Sequence, residues 1–152
     1  MKKIIKCIIK IFSKNLILFF SKFNSGRFFL DQVSKNIFTK KKYVKHNNLE
    51  FNFYVPNRIN YFRAETFATK EPETLRWIDT FKKDSVFWDI GANVGLYSCY
   101  AAKSNGCKVY AFEPSVFNLE LLSKNIFINY LTDKITIIPF PITEKLGINT
   151  FN

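Results

Sequence analysis

Residues 85–95, SVFWDIGANVG, and residues 107–114, CKVYAFEP, restrict the possible folds more than any other part of the chain. An apolar run ends in Asp89, and the backbone turns through Gly91 and Gly95. A helical stretch follows, and a second apolar run ends in Glu113. Strand, glycine turn, helix and strand is the repeating unit of a doubly wound α/β sheet. Ligands in such sheets bind outside the carboxyl ends of the strands, where both acids fall.

The same alternation continues downstream. Strands are expected at residues 86–90, 107–112 and 134–139, with helices at 94–103 and 116–130. Ser115 suits an N-cap, and Val116, Leu119, Leu122 and Ile126 share one helical face. Uninterrupted apolar strands between helices imply a parallel sheet covered on both faces. Residues 147–151 resemble the opening of a further strand.

Upstream, Leu49, Phe51, Phe53 and Val55 alternate as in a half-buried strand. KEPETLRWIDTF at 70–81 reads as a helix: Pro72 suits the first turn, and Glu71 and Glu73 match the positive end of the helix dipole. Leu75, Ile78 and Phe81 form its apolar stripe. The polar, lysine-rich residues 35–48 read as an exposed connection containing His46, a surface loop residue. The boundaries expected are therefore a basic helical leader and linker at 1–48, a strand and helix at 49–84, and a partial ligand-binding domain at 85–152.

The charge is unevenly placed. Residues 1–50 hold 12 Lys/Arg against 2 Asp/Glu, and residues 51–152 hold 11 against 10, so nearly all of the net +11 lies in the leader. Within residues 1–23, Ile5, Ile8, Phe12, Leu16 and Phe19 recur at helical spacing. The longest apolar stretch, 16–20, falls far short of the roughly 20 residues a bilayer span needs. Lysines throughout, and no small-residue cleavage site, also argue against a signal peptide. Two readings stay open: a helix lying on an anionic membrane surface, and a helix packing its apolar face on its own domain or a partner. Cys7, Cys99 and Cys107 have no metal-like spacing, which points to reduced thiols in a cytoplasmic protein and to no metal site. Cys99 and Cys107 fit core packing.

The site chemistry follows from the spacing. G-x-x-x-G at 91–95 differs from the G-x-G-x-x-G of dinucleotide folds. Asp89, two residues before Gly91, would repel a diphosphate but suits a ligand with an ammonium group. S-adenosylmethionine carries one beside its sulfonium. Glu113 is placed to accept hydrogen bonds from ribose hydroxyls. Gly91 permits a sharp turn, and Gly95 a close approach of the helix to strand and ligand.

DIGANVGLYS at 89–98, AFEPS at 111–115 and KEPETLRWID at 70–79 resemble the FkbM family of class I S-adenosylmethionine-dependent methyltransferases. The resemblance covers residues 49–152. It implies a Rossmann-like α/β sheet and a cofactor pocket lined by Asp89, Gly91, Ala92, Asn93, Gly95 and Glu113. Glu71 is a weaker candidate near the cofactor amine, equally readable as a helix-start acid. The family implies O-methylation of a sugar or other natural-product hydroxyl. Only about the first three core strands can be matched, which implies a truncated sheet, a fragment, or one half of a split protein. No catalytic base can be assigned. Two alternatives remain: a nucleic-acid methyltransferase with residues 1–45 as its phosphate footprint, weakened by the leader's apolar face, and a non-catalytic remnant or interaction module. The location implied is cytoplasmic, with the inner membrane surface as a peripheral option.

Overall fold

The computed structural model describes residues 2–143, which divide into two units, 1–40 and 41–152. The expected strand at 147–151 lies outside the described residues.

The first unit is a pair of helices, α1 (Lys2–Phe20) and α2 (Asn24–Phe38). Their corner depends on Gly26, where an added Cβ would lie 2.1 Å from the Phe20 carbonyl oxygen. Arg27 closes the turn by donating from Nη1 to the Ser21 carbonyl at 3.2 Å. Phe20 and Phe29 pack ring to ring at 5.2 Å. Sequence reading missed α2, because Gly26 and the scattered polar residues hide the repeat of Phe29, Val33 and Ile37. No helix among the described residues is long and apolar enough to cross a membrane.

The second unit opens with a hairpin, β1 (Lys41–His46) antiparallel to β2 (Leu49–Tyr54). Asn47 and Asn48 join them, both with positive φ, as a two-residue hairpin turn of matching twist requires. Residues 41–46 are thus a strand and not the connection that their lysines suggest. His46 lies in β1, half-buried, with its ring 5.5 Å from that of Tyr100.

The chain continues through α3 (Arg58–Glu65), α4 (Pro72–Asp79), β3 (Val86–Ile90), α5 (Leu96–Asn105), β4 (Lys108–Phe112), α6 (Val116–Ile128) and β5 (Ile135–Ile138). The last three strands form a parallel sheet in the order β3-β4-β5, with Phe87 opposite Val109 and Val109 opposite Ile135. This α/β core is the expected class, and within the described residues it has three core strands.

The expected covering of both sheet faces is not met among the described residues. Phe87, Asp89, Val109, Ala111 and Ile135 are buried on one face, while Val86, Trp88 and Ile90 on the other are 60–64% exposed. The cause is connection handedness. Two right-handed crossovers running in one direction across the sheet put α5 and α6 on the same side. Among the described residues, β3 pairs only with β4.

Two buried asparagines join the hairpin to α6. Asn125 Oδ1 accepts the Tyr54 N–H at 2.8 Å, while its Nδ2 donates to the Val94 carbonyl at 2.8 Å. Asn129 accepts from Asn52 N at 3.0 Å and donates to Asn52 O at 2.8 Å. Side-chain amides thus bond Asn52 and the Tyr54 N–H on the outer edge of β2, and Lys103 Nζ donates to the Glu50 carbonyl at 2.6 Å. The hairpin brings Phe51 and Phe53 into a cluster with Phe67 and Tyr100. Cys99 and Cys107 are buried there as expected, and burial pushes the Cys99 thiol up to about 12. Val116, expected on the core face of α6, is exposed at its first turn, and Asn125 takes a place in that face instead.

Candidate functional site

The loop between β3 and α5 is held by the end of the neighbouring strand. The N–H groups of Gly91 and Ala92 both donate to the Phe112 carbonyl at 2.9 Å. Gly91, Asn93 and Gly95 all have positive φ, so the backbone reverses tightly just beyond Asp89. A Cβ on Gly91 would meet nothing within 4 Å, whereas one on Gly95 would lie 2.4 Å from Leu122 Cδ1. Gly95 therefore serves the approach of α5 to α6. Gly91 faces open space.

That space is a cleft of about 220 Å³, lined by Asp89, Gly91, Ala92, Asn93 and Tyr97 from the sheet side and by Arg63, Phe67, Lys70 and Glu71 from the segment spanning α3 and α4. Five of the expected residues, Asp89, Gly91, Ala92, Asn93 and Glu71, meet in it. Gly95 and Glu113 do not line it.

Asp89 is 9% exposed and accepts a hydrogen bond from the Ser98 hydroxyl. Burial pushes its carboxyl above the usual carboxylate value; the Ser98 bonds pull it back and the Glu113 charge adds to the rise. A buried acid held this way favours a cationic neighbour. Glu71 starts α4 and links two elements: it pairs with Lys70 at 2.9 Å and accepts from the Tyr97 hydroxyl at 3.0 Å. Those two donors lower its pKa, Lys70 foremost.

Glu113 is 5% exposed at the end of β4. Its Oε2 accepts the Asn93 N–H at 2.8 Å. Its Oε1 accepts from Ser115 N at 2.8 Å and Asn118 Nδ2 at 3.3 Å. The carboxylate thus clamps the glycine loop to the start of α6, a role that its spacing from Asp89 does not reveal. Ser115 precedes α6 as expected, but the cap acceptor is Glu113 and not the serine hydroxyl.

Asn93 lines the cleft, and its Oδ1 is buried without a hydrogen-bond partner among the described residues. Buried acceptors are rarely left unpaired, so this one calls for a donor from a ligand. An unpaired acceptor, a desolvated carboxylate and open space over Gly91 fit S-adenosylmethionine. Among the described residues no cluster of three or more potential metal ligands occurs.

Sequence reasoning missed Ser98, Tyr97, Arg63 and Lys70 in this assembly. Ser98 could have been found, since it lies three residues beyond Gly95 in the first turn of α5, back over the end of β3. Arg63 could not, because α3 has no apolar stripe and its start is marked only by Asn57, which accepts from Asn60 N at 2.9 Å.

No protein-family model matches the chain. A tRNA (guanine(37)-N(1))-methyltransferase of Dictyostelium discoideum is 30% identical over 80 residues, 53% of this chain and 17% of that protein. The chain therefore spans about a sixth of that relative's length. Among solved structures, TYW2 of Pyrococcus horikoshii in complex with MeSAdo superposes with a TM-score of 0.50 at 18% identity, covering 68% of this chain and 37% of that one. A second Pyrococcus horikoshii structure, a transferase, gives 0.50 at 17% identity over the same shares.

These comparisons correct one expectation. The relative found is a tRNA methyltransferase and no family model matches, so membership of the FkbM family and methylation of a sugar hydroxyl are both set aside. The expectation of an S-adenosylmethionine-dependent methyltransferase agrees with them. The fold is the α/β fold of the class I methyltransferases.

Proposed function

We propose that the chain forms the cofactor-binding part of an S-adenosylmethionine-dependent RNA methyltransferase whose methyl acceptor is a tRNA base, guanine by analogy with the relative. The observation that carries this reading is the 30% identity over 80 residues to a tRNA (guanine(37)-N(1))-methyltransferase. The cleft at the ends of β3 and β4 supports it. When bound, S-adenosylmethionine supplies an already activated methyl group. The protein's part is then to bind, orient and exclude water.

Each residue has a role in that reading. Asp89 offers its desolvated carboxylate to the cofactor's ammonium group. Asn93 offers the unpaired Oδ1. Gly91 leaves room for the ligand beside the backbone, and Ala92 walls the loop. Glu113, which does not line the cleft, acts through the loop by fixing the Asn93 backbone and the start of α6. Gly95 sets the loop by seating α5 on α6, and Glu71 positions Tyr97 at the rim. Arg63, on the other wall, brings a positive charge to the rim suited to an anionic acceptor, while Lys70 is paired with Glu71.

The test is methyl transfer from labelled S-adenosylmethionine to unmodified tRNA, with oligosaccharides as control acceptors. Label recovered in methylguanine supports the proposal. Label in a sugar hydroxyl, or cofactor binding with no transfer to any RNA even after supplementation with the remaining domains of a full-length relative, overturns it.

A further inference from the structure

We infer that α1 is a membrane-surface anchor that binds anionic lipid. At 3.6 residues per turn, Ile5, Ile8, Phe12, Leu16 and Phe19 fall within an arc of about 80°, and Lys3, Lys6, Lys10 and Lys14 within another about 160° away. The five apolar side chains are 43–65% exposed. Residues 1–23 hold six lysines and no acid. A helix of this kind lies in the interface, with its apolar stripe among the acyl chains and its lysines reaching out to the headgroups.

Charge decides among the possible occupants. A second copy packed stripe to stripe would cover the apolar side chains but leave both rows of lysines without an anionic partner, since the helix carries no acid over this stretch. An RNA would satisfy the lysines, but it would leave five large apolar side chains in water and gain nothing from them. An anionic bilayer satisfies both faces at once. The helix is too often interrupted by lysine to span, so it rests on the surface.

The experiment is co-sedimentation of the full 152-residue chain with vesicles of phosphatidylcholine alone, or of phosphatidylcholine with a quarter phosphatidylglycerol. Binding is expected only with the anionic lipid and should weaken as salt rises. Replacing the four lysines together (K3Q, K6Q, K10Q, K14Q) should lower partitioning by roughly 1,000-fold. The I5S, I8S, F12S triple variant should lower it comparably while leaving the lysines in place. Equal binding to both vesicles, or no binding to either, overturns the inference, and these two arms need no variant. Retention on tRNA that is lost in the lysine variant, with vesicles ignored, would assign the helix to RNA. Concentration-dependent dimers in place of vesicle binding would assign it to a second copy.

Discussion

The Glu113 carboxylate accepts the backbone N–H of Asn93 at 2.8 Å, so the acid that ends β4 holds the loop that leaves β3. Through its other oxygen the same side chain starts α6. Cleft shape and helix position therefore depend on one buried group.

Replacing Glu113 with Ala should leave the Asn93 and Ser115 N–H groups without their acceptor. Stability should fall by about 1–3 kcal/mol, and S-adenosylmethionine affinity should fall with it. Chemical denaturation and calorimetry on the same preparation measure the two effects. Unchanged affinity together with lost stability would make Glu113 purely structural.

Asp89 should separate stability from binding. Folding raises its pKa, so the folded chain holds the proton at pH values where the unfolded chain has lost it. Stability is therefore lost as pH rises from 3.8, the ordinary value, through the raised one, and the deficit persists at neutral pH. Asp89→Asn removes that deficit, so the ligand-free variant should match or exceed the parent in stability at neutral pH. The difference should vanish near pH 4 and below. Cofactor affinity should fall about 10- to 100-fold with loss of the charge-assisted bond. Thermal melts across pH, with and without ligand, test both halves.

The two loop glycines should fail in different ways. Gly95→Ala forces a Cβ onto Leu122 in a left-handed backbone and should cost about 2–4 kcal/mol. Gly91→Ala meets open space, so it should cost only about 1 kcal/mol of backbone strain. Its added methyl instead intrudes on the cleft. Urea midpoints should rank Gly95→Ala the less stable, and ligand titration should show Gly91→Ala impaired despite folding.

Asn125→Ala should cost about 2–4 kcal/mol, because it strips partners from both Tyr54 N and Val94 O at a fully buried site. Denaturation should show one cooperative transition at lower urea, with the β1–β2 hairpin losing amide protection first.

The core elements could be read from the sequence where long apolar runs meet strong punctuation. Strand 86–90 has the bounds expected, and the neighbouring elements fall within about two residues of theirs. Elements without an apolar repeat were not visible: β1 is lysine-rich because one of its faces is solvated, and α3 relies on an asparagine cap. The acids Asp89 and Glu113 were legible as a pair from their positions at strand ends. The hydrogen bonds that Glu113 makes were not, because they depend on the loop's positive-φ path. The acceptor class was misassigned from DIGANVG and FEP. Those residues build the loop after β3 and the end of β4, and carry no information about what receives the methyl group.

The most direct measurement is calorimetric titration of the 152-residue chain with S-adenosylmethionine, with NAD as the rival nucleotide. One site with micromolar affinity for S-adenosylmethionine, weakened by Asp89→Asn, is expected, with no detectable heat from NAD. Tighter binding of NAD, or S-adenosylmethionine binding that Asp89→Asn leaves unchanged, would contradict the cofactor assignment.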